Sequence, residues 1–286
     1  MSAEYGVVRV SKWKRALFRT PDGLFGTIVV AVVVVAAVLG PLGVPYDPDA
    51  TDHLHRLAPP SAEHWFGTDE VGRDLFSRVV VGARPSLVSA LIVIAIAAVV
   101  GSVLGIVAGF FGGYLDATIM RVTDMFVGFP ALILAVAVAA ALGPGLTNGM
   151  IAVAVVWWPG YARLARGQVL AVKTRLFVEA AQAIGSPNWR TMLCHILPNS
   201  LSPLLVKITT DVGAVVMYIA SLGFIGLGAQ PPSAEWGTMI ADARTYLIGY
   251  WWFPTFPGLA LMTAVIGFNL FGDALQMAFD VSIMEP

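Results

Sequence analysis

Three of the four histidines in the chain, His53, His55 and His64, fall in one short stretch with Asp52 and Glu63 beside them. Histidine and carboxylate groups are the usual ligands of zinc-type ions, so metal chemistry would have to be sought here. The spacing argues against it. Zinc sites favour wider or i,i+4 spacings on ordered elements, whereas these histidines stand in PYDPDATDHLHRLAPPSAEH, a Pro- and Asp-rich stretch that reads as extended, solvated loop. No metal ligand and no catalytic residue is assigned. A phosphate-cradling G-x-x-x-x-G-K-[ST] loop is missing too, because the only lysines are Lys12, Lys14, Lys173 and Lys207 and none follows a glycine. This chain is therefore not an ATPase. The charges inside apolar stretches are few. Arg121 with Asp124 and Lys207 with Asp211 read as i,i+3 and i,i+4 pairs near the cytosolic ends of their helices, and Asp273 reads as interfacial. Asp211 has a sharper reading, as a group on a water-filled path.

The elements that must carry these residues are membrane spans. The 286 residues are 57% hydrophobic and 12% charged, with a mean hydropathy of +0.78; soluble domains carry about 25% charged residues. A net charge of −1 gives no reason to expect nucleic acid as a partner, and the single cysteine, Cys194, excludes an internal disulfide framework. Lys12, Lys14, Arg15 and Arg19 precede an apolar run from Leu24 to Val44. That run is long enough to span, since secretory apolar cores hold only about 7–15 residues, so it reads as an uncleaved first helix. Six spans are expected, at 24–44, 86–110, 118–142, 147–165, 201–229 and 256–278.

Positive charge sets the expected orientation. Arg9, Lys12, Lys14, Arg15, Arg19, Arg121, Arg163, Arg166, Lys173, Arg175, Arg190 and Lys207 fall on one side, against Arg56, Arg73, Arg78, Arg84 and Arg244 on the other. The positive-inside rule then puts both termini and the loop 166–200 in the cytosol. Outside, Thr68 reads as the N-cap of a helix lying in the membrane interface, with Val71, Leu75, Phe76, Val79 and Val80 on its apolar face and Glu70, Arg73, Asp74, Ser77 and Arg78 opposite. The second outer segment, 230–255, opens on Pro231-Pro232 and closes on Trp251-Trp252-Phe253-Pro254, an expected aromatic belt. Gly101, Gly105, Gly109 and Gly113 recur every four residues and predict close helix packing, within the subunit or at a dimer seam. Pro130, Pro159 and Pro203 invite kinks. Trp157-Trp158 suit packing or pore lining equally.

The cytosolic loop carries the clearest pattern, EAAQAIGSPNWRTMLCHILP at 179–198. Leu176, Phe177 and Ile184 share a face with Ala180, while Glu179 and Gln182 lie elsewhere. Gly185 stands where a helix C-terminus wants a left-handed residue. Ser186 then reads as an N-cap with Pro187 at the first helical position, and Trp189, Met192, Leu193 and Ile196 continue at helical spacing until Pro198 ends the helix. Two short helices about a glycine hinge make a rigid knob, with Ala180, Ala181 and Ala183 small enough for close approach. On pattern alone, the knob is either a docking element or a hairpin packed under the spans.

Glu179-Ala180-Ala181, Gly185 and Leu197-Pro198 resemble the EAA-type loop of ABC importer membrane subunits. His195 stands where many of that superfamily carry an aliphatic residue, although His-Ile-Leu-Pro-Asn is usual in the peptide branch. The resemblance runs along nearly the whole chain. Pro45-Tyr46-Asp47-Pro48, LAPPSAEHWFGTDEVGRDLFSRVVVGAR (57–84), FFGGYLDATIMRVTD (110–124), WPGYARLARGQVL (158–170), SLGFIGLGAQPPSAEWGTMIADAR (221–244) and FPGLALMTAVIGFNLFGDAL (256–275) are similar to the C-type permease of dipeptide, oligopeptide and nickel importers. What this implies is an all-α polytopic fold of type I ABC importers with a cytosolic coupling helix. Residues 1–84 would form the cytosolic N-terminus, first span and outer amphipathic segment, and 85–280 a five-helix core containing the loop 166–200. The implied partners are a homologous B-type permease, two ATP-binding subunits or domains that hold the ATP and Mg, an external binding protein, a peptide and the bilayer of a bacterial cell. The coupling residues would be Glu179, Ala180, Ala181, Gly185, Ser186, Pro187, Leu197 and Pro198, with Asp211 in the peptide's path. The rival cargo is nickel or another small solute. The rival classes are a membrane-embedded enzyme, for which no clustered reactive set appears, and an ion-coupled transporter, which needs ionisable groups at midplane.

Overall fold

A computed structural model describes Phe18 and residues 20–280 of the chain. The basic residues Arg9, Lys12, Lys14, Arg15 and Arg19 lie outside the described residues. The elements are helices: α1 (Pro21–Gly43), α2 (Leu75–Phe111), α3 (Gly113–Val127), α4 (Ala131–Leu142), α5 (Leu146–Lys173), α6 (Leu176–Ala183), α7 (Asn188–Thr191), a π-helical turn (Met192–Ile196), α8 (Leu197–Ile225), α9 (Trp236–Ala243) and α10 (Trp252–Asp280). Among the described residues, α1, α2, the continuous stretch Asn188–Ile225 and α10 are long and apolar enough to cross a membrane. A bent pair, α3 with α4, makes a fifth if it counts as one span.

Two of the six expected spans therefore differ. The segment 118–142 is not one rod but α3 and α4 meeting at 90°. Pro130 supplies the reason, since the residue before a proline is pushed out of the α region and no helix runs through Phe129. The segment 147–165 lies inside α5, whose 28 residues are ample in length but fall short in apolarity. Its neighbours account for this: α5 packs along α2 and against α8, with Tyr161, Ala162, Ala165 and Val169 fully buried, so much of its surface meets protein.

The α2–α5 seam is the most extensive helix contact in the fold. A side chain on Gly101 or Gly105 would run into the carbonyl oxygens of Trp158 and Ala162, and one on Gly109 would lie 2.9 Å from Val169 Cβ. These backbones touch within the subunit. Gly113 does not continue the stripe: it follows the end of α2 with φ +58° and open space around it. Helix α1 docks on α10 through Gly26 and Gly267 and leaves Val32, Val35, Val38 and Leu42 outward, an apolar surface suited to lipid.

At the N-terminal end of α2, the expected interfacial helix from Thr68 is absent. Helix α2 starts at Leu75, capped by the Asp74 carboxylate on Ser77 N–H at 2.8 Å, and runs unbroken through Pro85 to Phe111, across the division expected at residue 85. Thr68 is instead fully buried, donating to His55 O and accepting from Ala58 N–H at 2.8 Å. The aromatic belt is half right. Trp251 is exposed, but Trp252 and Phe253 are buried, and the Trp252 indole donates to Thr68 O.

Gly105→Val forces a branched side chain into the Ala162 carbonyl, and such overpacking costs about 1–3 kcal/mol. A lowered Tm of the detergent-purified chain is expected. Gly167→Ala, on α5 with nothing within 4 Å, should leave Tm unchanged or raise it.

Candidate functional site

Three polar regions lie along the bundle. The first is the loop between α5 and α8. Lys173, the last residue of α5, donates to Phe110 O at 2.5 Å and so fixes the loop's root at the C-terminal end of α2. Helix α6 turns Val178 and Ala181 into the body and leaves Leu176 83% and Ile184 86% exposed, with Phe177, Glu179 and Ala180 also outward. Glu179 stands in the first turn, where a carboxylate complements the helix dipole. Gly185 adopts φ +80°, and the bonds Gly185 N–H to Gln182 O (3.0 Å) and Ser186 N–H to Ala181 O (3.0 Å) close a Schellman motif.

Beyond the hinge, several details depart from expectation. Ser186 is not the N-cap; Pro187 occupies that position with no side-chain hydrogen bond, and the Ser186 hydroxyl meets Thr191 Oγ1 at 3.3 Å. Ala181 faces inward, so only Ala180 and Ala183 are free for close approach. Pro198 does not end the helix. The π turn Met192–Ile196 precedes it, and the chain runs helically from Asn188 to Ile225 with Leu197 and the exposed Pro198 in the first turn of α8. Pro198 has no N–H to give; Leu197 N–H bonds back to Met192 O, and the Asn199 amide covers His195 O at 2.6 Å. Such π turns recur at functional sites because they place an extra residue without breaking the rod.

The second region lies between the helices. Arg166 forks onto Asp116 at 2.5 and 2.6 Å, and Arg163 reaches Asp124 at 2.7 Å, tying α5 to α3. Asp124 thus pairs across helices rather than with Arg121. Lys207 and Asp211 do pair, at 3.0 Å, and the Trp157 indole donates to Asp211 at 2.9 Å. They are not near a helix end: Asp211 is the midpoint of α8, about 21 Å from each terminus.

The third region joins the two outer segments. Arg78 is 1% exposed and spends its donors on Pro48 O (2.9 Å), Pro232 O (3.1 Å), Ser233 O (3.4 Å) and Asp49 (3.3 Å), with Asp69 3.6 Å away. Asp69 also takes Arg73 Nε at 2.5 Å. Glu235, likewise buried, caps α9 through Gly237 and Thr238 N–H at 2.9 Å each. The face expected to be solvated is therefore a buried ion network, which sequence spacing missed because its acceptors lie 30 and 154 residues away. Burial lifts the Glu70 and Asp242 carboxyls above the usual carboxylate range. The histidines serve this layer separately: His64 bonds Asp74 at 2.9 Å and His55 bonds Asp52 at 2.7 Å, which raises the His55 pKa and lowers that of Asp52. Among the described residues no group of three or more His, Cys, Asp or Glu is arranged to hold a metal.

Residues 101–284 match the family described as binding-protein-dependent transport system inner membrane component. Residues 11–60 match the N-terminal TM domain of oligopeptide transport permease C. The probable D,D-dipeptide transport system permease protein DdpC of Escherichia coli K12 is 46% identical over 98% of this chain and 97% of its own. The dipeptide transport system permease protein DppC of Alkalihalophilus pseudofirmus is 41% identical over 95% and 90%. The glutathione transport system permease protein GsiD of Escherichia coli O6:K15:H31 is 41% identical over 95% and 89%.

Arg78→Met leaves Asp69 to Arg73 alone and strands three loop carbonyls, Pro48 O, Pro232 O and Ser233 O, at about 1–3 kcal/mol for a buried group left unsatisfied. A lower Tm and faster proteolysis within 45–74 are expected. Because the folded Glu70 pKa is raised, its contribution to stability is present below the ordinary carboxylate pKa and is lost as pH rises through the folded value. Glu70→Gln should flatten the fall of Tm with pH that begins at the ordinary carboxylate pKa.

Proposed function

We propose that this chain, which belongs to the binding-protein-dependent transport system inner membrane component family, is one of two unlike permease subunits of an ATP-driven importer of di- or oligopeptides. Membership makes it a multi-pass component of the bacterial inner membrane. The finer reading is supported by the names of the relatives, which are peptide and glutathione permeases. In that reading a binding protein delivers peptide to the layer built from residues 45–74 and 226–251. Two partner ATPases hold the nucleotide and Mg, and both termini face the cytosol with the α6–α7 elbow.

One observation carries the docking assignment. Leu176, Phe177, Ala180 and Ile184 form an apolar face on α6 that turns away from the body of the chain. A face of that kind at the aqueous end of a bundle is unfavourable unless something covers it. Its covering partner is the ATPase. Closure of the ATPases moves the elbow, the Asn188–Ile225 stretch carries the motion into the membrane, and the path opens alternately to either side as α8 tilts. In this reading the chain's own part is mechanical, and the covalent chemistry belongs to the ATPases.

Gly185→Pro cannot hold φ +80°, because proline fixes φ near −65°, and it destroys the Schellman hinge. Glu179→Lys reverses the charge at the N-terminus of α6. Each variant is expected to abolish peptide uptake while the subunit stays in the membrane at native levels, assayed by labelled dipeptide uptake and by immunoblot. Normal transport by either would refute the docking assignment. Alanine at His53, His55 and His64 together should leave import intact, since His55 and His64 pair with Asp52 and Asp74.

A further inference from the structure

We propose that Lys207, Asp211 and Trp157, with the Tyr161 hydroxyl behind them, form a station in the transport path where the peptide's free amino end is held, its ammonium taking the place of Lys207 on the Asp211 carboxylate. This rests on the peptide-importer reading above and adds to it a site and a chemistry.

Depth comes first. Asp211 is the midpoint of α8, so the pair sits deep in the hydrocarbon region if α8 spans it. The chain does not seal it there: the side chains of Lys207 and Asp211 are 30% and 14% exposed. An ion pair open to lipid is strongly disfavoured, so this face of α5 and α8 turns to a polar lumen or to a second subunit. The apolar surface of α1, by contrast, is what lipid requires.

The groups around the pair suit an ammonium guest. Lys207 Nζ lies 3.0 and 3.2 Å from the two Asp211 oxygens, and Trp157 Nε1 fixes one of them at 2.9 Å. The carboxylate is therefore oriented before anything arrives. Lys207 Nζ is 5.1 Å from the centre of the Tyr161 ring, and the Trp157 ring stands edge-on to Tyr218 at 4.8 Å, so aromatic faces border the site. The lysine stem runs close along α5, since a Cβ at Gly160 would lie in ordinary contact, 3.4 Å from Lys207 Cε.

Tyr161 closes the site from behind. It is fully buried, and its hydroxyl lies within reach of Asp211, its natural partner, though outside good hydrogen-bond geometry. The carboxylate is thus the shared acceptor for the Lys207 ammonium, the Trp157 indole and the Tyr161 hydroxyl, and a guest ammonium would enter that set of donors.

Exchange keeps the site electrically balanced. Empty, Lys207 neutralises Asp211; occupied, the peptide ammonium does so, and the released Lys207 stays within one turn to meet the peptide's carboxylate. At no stage does a bare charge stand in the membrane. Because α8 is continuous with the elbow, a tilt of the helix that follows the elbow moves Asp211 relative to Trp157 on α5 and loosens the grip.

The test uses the whole assembly, co-purified with its second permease, ATPases and binding protein and reconstituted in liposomes. In Lys207→Met with Asp211→Asn, both charges go together, so no buried charge is left unpaired and a merely structural pair would be dispensable. The expected result is an assembly of native composition whose import of labelled dialanine falls at least tenfold at saturating binding protein. Import within twofold of native overturns the proposal, and so does loss of the second permease from the double variant, which would assign the pair to the subunit interface. A second measurement leaves the pair intact: p-benzoylphenylalanine at Tyr218 is expected to capture labelled dialanine during ATP turnover. No capture in an assembly that imports the peptide overturns the station alone. A native assembly that imports no peptide overturns the peptide reading with it.

Discussion

Everything in this chain is referred to the seam where α2 and α5 touch backbone to backbone. Gly101, Gly105 and Gly109 bring the two axes together, and the helices then act as one beam. In lipid, apolar side chains gain little by burial against one another, so close van der Waals approach of this kind is what holds helices together. The N-terminal end of α2 carries Arg78 and the outer ion network, and its C-terminal end receives Lys173 at the root of the loop. Helix α5 carries Trp157, Tyr161, Arg163 and Arg166, so the partners of Asp211, Asp124 and Asp116 all hang from the same beam.

The loop and α8 form the complementary unit. The hinge at Gly185 separates α6 from a helical stretch that begins at Asn188, and the π turn lets that stretch pass Pro198 without stopping. The surface of α6 is divided accordingly. Val178 and Ala181 hold it to the body, while Leu176 and Ile184 project from it. Anchorage and presentation thus come from different faces of residues 176–184.

Local rules made much of this legible from sequence. Gly185 is legible because a left-handed C-cap admits almost nothing else, and helical spacing alone puts Leu176, Phe177, Ala180 and Ile184 on one face. The errors arose where a local rule met a distant partner. Pro198 reads as a stop unless the backbone borrows an i→i−5 bond, and the division implied at residue 85 falls inside α2, which passes through Pro85 with Ser89 Oγ bonded to Pro85 O at 2.5 Å. Arg121 is the sequence neighbour of Asp124, but Arg163 is the spatial one. Arg78 looks like a solvated charge on an amphipathic helix, and only the arrival of Pro48, Pro232 and Ser233 turns it into the buried centre of the outer layer.

The unbroken run from Asn188 to Ile225 has a thermodynamic corollary. Some 23 residues separate its first turn from Asp211, about 35 Å of stiff helix. A tilt of a few degrees at one end therefore shifts the other by ångströms, less whatever the π turn and Pro203 take up. In the importer proposed above, linkage then works in both directions: whatever factor seating at the elbow applies to affinity at the midpoint, occupancy of the midpoint must apply to seating at the elbow. A stiff shaft makes each end a sensor of the other.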